Sequence, residues 1–138
     1  GYNLNLFSGA GVGPLYSIAD FYNDARPYEM TTLNFGSFTE DILYFGGPVF
    51  INKNSSNYQT VATYSTGGGV GHDAPAVVAF TFGAGRAVLF GTHPEIEEDN
   101  DHDDGTTDTV LLQNKPTLDD HGSDWYLMDA VIEWLVSQ

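Results

Sequence analysis

Two apolar segments joined by a short glycine-containing loop constrain the fold of this chain more than any other feature. Ala76–Phe82 and Arg86–Thr92 flank Gly83-Ala84-Gly85, and three residues with two glycines are typical of a hairpin loop with a left-handed position. Both arms are nearly all apolar, which indicates that both faces of the hairpin are covered. The sequence therefore predicts a buried hairpin over residues 76–92.

Further strands are predicted from shorter β-branched and aromatic segments. Ile42–Ile51 is interrupted by Gly46-Gly47-Pro48 and reads as two short strands around a turn or bulge. Gly9–Pro14 is rich in glycine and is predicted to be a loop. The other predicted strands are Tyr2–Phe7, Pro27–Phe35 as an outer strand, and Thr60–Tyr64.

One helix is predicted, at the end of the chain. Ser123 is a suitable N-cap with Asp124 in the first turn. An apolar stripe at helical spacing follows, made of Leu127, Met128, Val131, Trp134 and Leu135. One helix covers only one face of a sheet, so the sequence predicts an α/β domain whose other layer comes from outside these residues.

Candidate catalytic residues follow the second arm of the hairpin. His93 and Glu95 lie two positions apart, with Pro94 between them, and residues at the carboxyl ends of strands face ligands in α/β sheets. This spacing suits an imidazole base oriented by a carboxylate. The alternative is a structural His-Pro turn with a solvent-facing acid. A nucleophile is not evident, because the sequence has no cysteine and no G-x-S-x-G motif.

Charge excludes some partners. The 138 residues include 19 acidic and 4 basic ones, for a net charge of −15. Nucleic acid and anionic membranes are therefore not expected partners, because neither would find a basic patch. Scarce lysine and the N-glycosylation pattern Asn54-Ser55-Ser56 favour a secreted glycoprotein, while the cytosol of a halophile would explain the same charge balance.

The acidic run Glu95–Asp108 is the one candidate for ion binding. Its carboxylates could surround calcium, but Gly105 falls one position late for an EF-hand and Val110 stands where the bidentate glutamate should be. A solvated surface loop is the alternative. His72 and His121 are flanked by aspartates without metal-ligand spacing, so the sequence predicts no metal or cofactor.

Three segments carry a resemblance to a known family. In order and spacing, they resemble motifs of the biotin-protein ligase N-terminal-like family. The segments are Asn5–Gly9 with Val12–Pro14, then Tyr44–Phe50, then Gly83–Glu95. That family belongs to the class I glutamine amidotransferase-like superfamily. The Gly-x-Gly-Arg-x-Val-Leu-x-Gly-x-His-Pro-Glu match is the most specific.

The resemblance implies a flavodoxin-like α/β sandwich with a Cys-His-Glu triad, in which His93 matches the base and Glu95 its orienting acid. Residues 1–138 would be the C-terminal portion of this single domain. The nucleophile elbow would lie on an N-terminal half that is a separate or cleaved chain. Together the halves could hydrolyse an amide or ester in a small-molecule or peptide substrate. The alternative is a non-catalytic binding or structural module on the same scaffold.

Overall fold

The computed structural model describes residues 7–13, 29–52, 58–65, 73–95 and 124–137. This part of the chain is a strand-rich α/β arrangement with seven strands and one C-terminal helix. The elements are β1 (Gly9–Val12), β2 (Glu29–Asn34), β3 (Thr39–Tyr44), β4 (Val49–Asn52), β5 (Tyr58–Tyr64), β6 (Pro75–Phe82), β7 (Gly85–Phe90) and α1 (Trp125–Val136). The predicted strand Tyr2–Phe7 falls almost entirely outside the described residues.

Five strands form the main sheet, in the order β3-β2-β5-β6-β7, and every pairing in it is antiparallel. The predicted hairpin is confirmed as β6–β7, but its loop is shorter than expected. Phe82 pairs with Gly85, so only Gly83 and Ala84 form the loop. Gly83 has φ +61°, and a positive φ at the first of two loop residues is the requirement of a type II′ turn.

The glycine-rich segment predicted as a loop is a strand. Gly9–Val12 pairs antiparallel with Val49–Asn52 in a separate two-stranded sheet. The prediction was wrong because the partner strand lies far along the chain, and this pairing overrides the low strand propensity of glycine. A Cβ at Gly9 would overlap the carbonyl oxygen of Ile51 and the ring of Phe7, so the close approach itself requires glycine.

The predicted position of β2 also needs correction. It was expected to be an outer strand because its residues are largely polar, but it lies between β3 and β5. Thr31 is buried, and Leu33 is fully buried in the core. β3 occupies the edge instead. The polar composition of β2 did not predict its inner position, because its pairing with β5 depends on residues that are distant in sequence.

Both faces of β6 are covered, as the apolar pattern predicts. The five consecutive residues Ala76–Phe80 are all buried. On one face, Val77 belongs to the core cluster that includes Leu127 of α1. On the other face, the Phe7 ring lies 5.5 Å from the Phe80 ring, and β4 also packs against β6. β7 is less covered, since Arg86–Phe90 are only half-buried.

The helix α1 rests on the sheet through part of its apolar stripe. Leu127 is buried and Val131 is half-buried, whereas Trp134 and Leu135 are each 37% exposed. Asp124 is the N-cap and Ser123 lies outside the described residues. Nowhere in the described part does a helix combine the length and apolarity that crossing a membrane requires.

Arg86 fixes the C-terminal end of α1 to β7. Its guanidinium donates hydrogen bonds to the Trp134 carbonyl and to the Ser137 hydroxyl, the latter at 2.8 Å. It also lies 5.1 Å from the centre of the Trp134 ring. A cation at the helix C-terminus is favourable because it faces the negative end of the helix dipole.

Candidate functional site

His93 and Glu95 are in direct contact. The Nδ1 atom of His93 lies 2.9 Å from Oε1 of Glu95. An ionised carboxylate can only accept a hydrogen bond, so the contact requires the hydrogen on Nδ1. In the neutral imidazole, Nε2 is then the nitrogen with a free lone pair, as a general base requires. The His93 side chain is 34% exposed and that of Glu95 is 50% exposed, so both are open to solvent.

The backbone around His93 is firmly held. The His93 N–H donates to the Leu43 carbonyl at 2.9 Å, and the Gly91 N–H donates to the Ala76 carbonyl at 2.8 Å. Pro94 is fully buried between the two candidate residues. The end of β7 is therefore fixed against β3 on one side and β6 on the other, and the exposed imidazole stands on a rigid support.

Three glycines from distant segments meet beside this support. A Cβ at Gly47 would overlap the Gly91 carbonyl, and a Cβ at Gly91 would overlap the Pro48 carbonyl. A Cβ at Gly13 would lie 2.9 Å from the Gly47 carbonyl oxygen. We call Gly13, Gly47, Pro48 and Gly91 the glycine junction. Backbone packs directly on backbone there, which only residues without a side chain allow.

Two buried tyrosines complete the hydrogen bonding of the glycine junction. The Tyr64 hydroxyl lies 3.0 Å from the Gly91 carbonyl oxygen and 3.1 Å from that of Pro48, so its proton is shared between them. The Tyr44 hydroxyl donates to the Gly47 carbonyl at 2.8 Å. These donors satisfy carbonyl groups that no strand pairing reaches. Sequence reasoning missed both tyrosines.

Phe45 is the aromatic neighbour of the candidate base. Its ring centroid lies 6.2 Å from that of the His93 imidazole, with a 57° angle between the planes. The side chain is 45% exposed, and the next residue, Gly46, has φ +70°. The turn after β3 therefore holds a large, partly exposed apolar ring beside the histidine.

Among the described residues, no further candidate ligand or base from the sequence lies at this site. Within the ranges that the structure describes, no three histidine, cysteine or acidic residues are grouped as a metal site would need. Residues 96–123, with most of the acidic run and His121, and His72 lie outside those ranges. Calcium binding by Glu95–Asp108 thus stays an untested alternative to a solvated surface loop. Thr92, next to His93, is 4% exposed, and its hydroxyl has no hydrogen-bond partner among the described residues.

Comparison with known families decides the relationship. The family model described as "Biotin-protein ligase, N terminal" matches residues 2–131. The chain belongs to the biotin-protein ligase N-terminal family. Comparisons with curated proteins and with solved structures gave no match.

The three segments that resemble this family converge in space. Gly13 follows β1, Gly47 lies in the turn between β3 and β4, and Gly91 follows β7, so each segment contributes one glycine to the glycine junction. Glycines within or beside strand-like segments were the available signal, because they mark sites of close backbone approach. The sequence alone does not say which glycines meet.

Proposed function

We propose that this member of the biotin-protein ligase N-terminal family carries the base half of a Cys-His-Glu hydrolytic or amidotransferase site. The observation that supports this is the 2.9 Å contact between His93 and Glu95 at the end of β7. The pair is exposed to solvent while its backbone is fixed. A general base needs that combination of access and rigid orientation.

In the proposed reaction, a thiol is activated by His93. Nε2 takes the thiol proton, and the thiolate attacks an amide or ester carbonyl to form a tetrahedral adduct. His93 returns the proton to the departing amine or alcohol, leaving a thioester. A water molecule, deprotonated by the same nitrogen, then releases the acid and restores the thiol. Glu95 keeps the hydrogen on Nδ1 and stabilises the imidazolium that forms transiently.

The thiol must come from outside these residues, because the sequence contains no cysteine. We place it on an N-terminal portion of the same domain, supplied as a preceding segment or a second chain. The complete domain would then be a flavodoxin-like amidotransferase-type sandwich. This proposal is consistent with the family to which residues 2–131 belong.

Thiol alkylation of the full-length gene product tests this function. A thiol paired with His93 should react with iodoacetamide at pH 7 about tenfold or more faster than an ordinary cysteine, because free thiols are only a few per cent ionised. His93→Asn should return the rate to that of an ordinary thiol. Thr81→Asn serves as the control, because Thr81 is exposed near the turn end of the β6–β7 hairpin, away from His93, and should leave the rate unchanged. A gene product without a thiol, or a rate that His93→Asn does not alter, contradicts the proposal.

A binding or structural module without catalysis is the second candidate. The absence of cysteine from all 138 residues favours it, since a scaffold can keep a pocket without its chemistry. In that case the full-length protein has no fast-reacting thiol, and His93→Asn changes neither its labelling nor its folding. The same alkylation experiment therefore separates the two candidates.

A further inference from the structure

Phe45 is a large, partly exposed apolar side chain beside the candidate base. It is 45% exposed, yet the turn that carries it is tightly constrained. Gly46 has φ +70°, and Gly47 is pressed against the Gly91 carbonyl in the glycine junction. The strand before Phe45 is tied to the site through the Leu43 carbonyl, which accepts the His93 N–H. The ring is thus held beside His93 from both ends of its turn.

The contact between the two rings is a specific one. Their centroids lie 6.2 Å apart with tilted planes, which is within the range of favourable aromatic pairs. One side of the imidazole is therefore bordered by an apolar ring, while Glu95 contacts its Nδ1 atom. A molecule that approaches the imidazole meets the Phe45 ring on that side.

The described charges around His93 disfavour an anionic ligand. Arg86 is the one lysine or arginine among the described residues, and its guanidinium is engaged with the C-terminal end of α1. It lies at the opposite end of β7, seven positions before His93, which corresponds to about 20 Å along an extended strand. The ionised Glu95 would repel a carboxylate, and no described cation offsets this repulsion.

We propose that Phe45 forms the apolar wall of the His93 site and selects neutral carbonyl compounds with an apolar group beside the carbonyl. The proposal deepens the proposed function and rests on it for the reaction class. Phe45 acts as a specificity-determining residue, because its ring packs against the apolar group while the carbonyl faces the imidazole. Free glutamate-like or other anionic substrates are disfavoured by Glu95.

Ligand titrations followed by NMR test this without any thiol. The observed signal is the Cε1–H of His93, assigned by its loss in His93→Asn. The probes are N-acetyl-L-phenylalaninamide, which is neutral and apolar, N-acetylglycinamide, which lacks the apolar group, and N-acetyl-L-isoglutamine, which carries a carboxylate. The apolar amide should shift the His93 signal at concentrations about threefold to tenfold lower than the other two, the range that one aromatic contact gives.

Variants locate the selectivity at Phe45. Phe45→Ala should abolish the preference for the apolar amide, and Phe45→Leu should restore part of it because an apolar wall remains. Phe82→Ala removes a ring that is 54% exposed at the turn end of the β6–β7 hairpin and should change nothing. Equal shifts with all three probes, no shift with any, or a preference that survives in Phe45→Ala overturns the proposal.

The outcome is separable from that of the proposed function. Selective binding at Phe45 without a fast-reacting thiol in the full-length protein would support Phe45 as the apolar wall and contradict the proposed reaction. A fast-reacting thiol that depends on His93, together with equal shifts for all three probes, would support the proposed reaction and contradict the role of Phe45.

Discussion

The glycine junction and the underside of helix α1 are packed in opposite ways. At the glycine junction, backbone lies directly on backbone and a buried hydroxyl serves two carbonyls. Between α1 and the sheet, an apolar groove of about 330 Å³ remains open, bordered by side chains such as Val61, Ala79 and Trp134. Rigid packing therefore supports His93, while the helix on the neighbouring face leaves part of the apolar sheet surface uncovered. Functional groups are positioned best by rigid supports of this kind.

Adding one methyl group at the glycine junction should have the largest effect. Gly47→Ala and Gly91→Ala each place a Cβ inside a backbone carbonyl group, so the two segments that carry these glycines must move apart. We expect each to lower the free energy of unfolding by about 3 kcal/mol or to prevent folding, since overpacking of fixed groups is costly. Chemical denaturation measures this.

Gly85→Ala is the matched control for this pair. Its added Cβ would lie 3.5 Å from the nearest atom, the Phe82 carbonyl oxygen, which is ordinary contact. The free energy of unfolding should change by less than about 0.5 kcal/mol. If all three variants behave alike, the contrast between the glycine junction and the rest of the sheet is wrong.

Removing one hydroxyl at the glycine junction should have the next largest effect. Tyr64→Phe leaves the buried carbonyls of Gly91 and Pro48 without this donor, at a cost of about 1–3 kcal/mol. Tyr126→Phe is the control on the helix side, where a 47% exposed tyrosine donates to Glu40 at 2.6 Å. That change should cost less than about 1 kcal/mol. If thermal denaturation shows that the two variants lose the same stability, the distinction between the two regions is wrong.

Filling the apolar groove between α1 and the sheet tests the packing on the helix side directly. Ala79 borders the groove, so Ala79→Val should be neutral or stabilise by up to about 1 kcal/mol through added apolar burial. Ala76→Val is the control, because Ala76 is fully buried in the core cluster. Enlarging it should lower the free energy of unfolding by about 1–3 kcal/mol. A destabilised Ala79→Val protein would show that the groove is closed in solution.

Loosening the helix should have the smallest effect on global stability. Arg86→Met removes the hydrogen bonds to Trp134 and Ser137, and a cation at a helix C-terminus contributes about 0.3–1 kcal/mol. Amide hydrogen exchange should accelerate in the last turn of α1 and stay unchanged in β6. Exchange that accelerates equally in both elements would contradict a helix that opens independently of the sheet.

Local patterns predicted the parts of this fold that depend on neighbours in sequence. The β6–β7 hairpin follows from two apolar segments around glycines, and the His93–Glu95 contact follows from their spacing of two residues. The helix follows from its apolar stripe, of which Leu127 is the buried member.

Long-range pairing explains what the sequence left open. β1 was read as a loop because its partner β4 lies far along the chain. The meeting of Gly13, Gly47 and Gly91 and the placement of Phe45 beside His93 depend on three separated segments at once. No single segment contains that information.

The tautomer of His93 tests the central claim most directly. Long-range ¹H–¹⁵N NMR of the imidazole distinguishes hydrogen on Nδ1 from hydrogen on Nε2. We predict the Nδ1–H form in the neutral side chain, because Glu95 accepts that hydrogen at 2.9 Å. Glu95→Ala should shift the population toward Nε2–H, while Glu40→Ala should not. A neutral His93 with its hydrogen on Nε2, unaffected by Glu95→Ala, would show that the pair is not an oriented base.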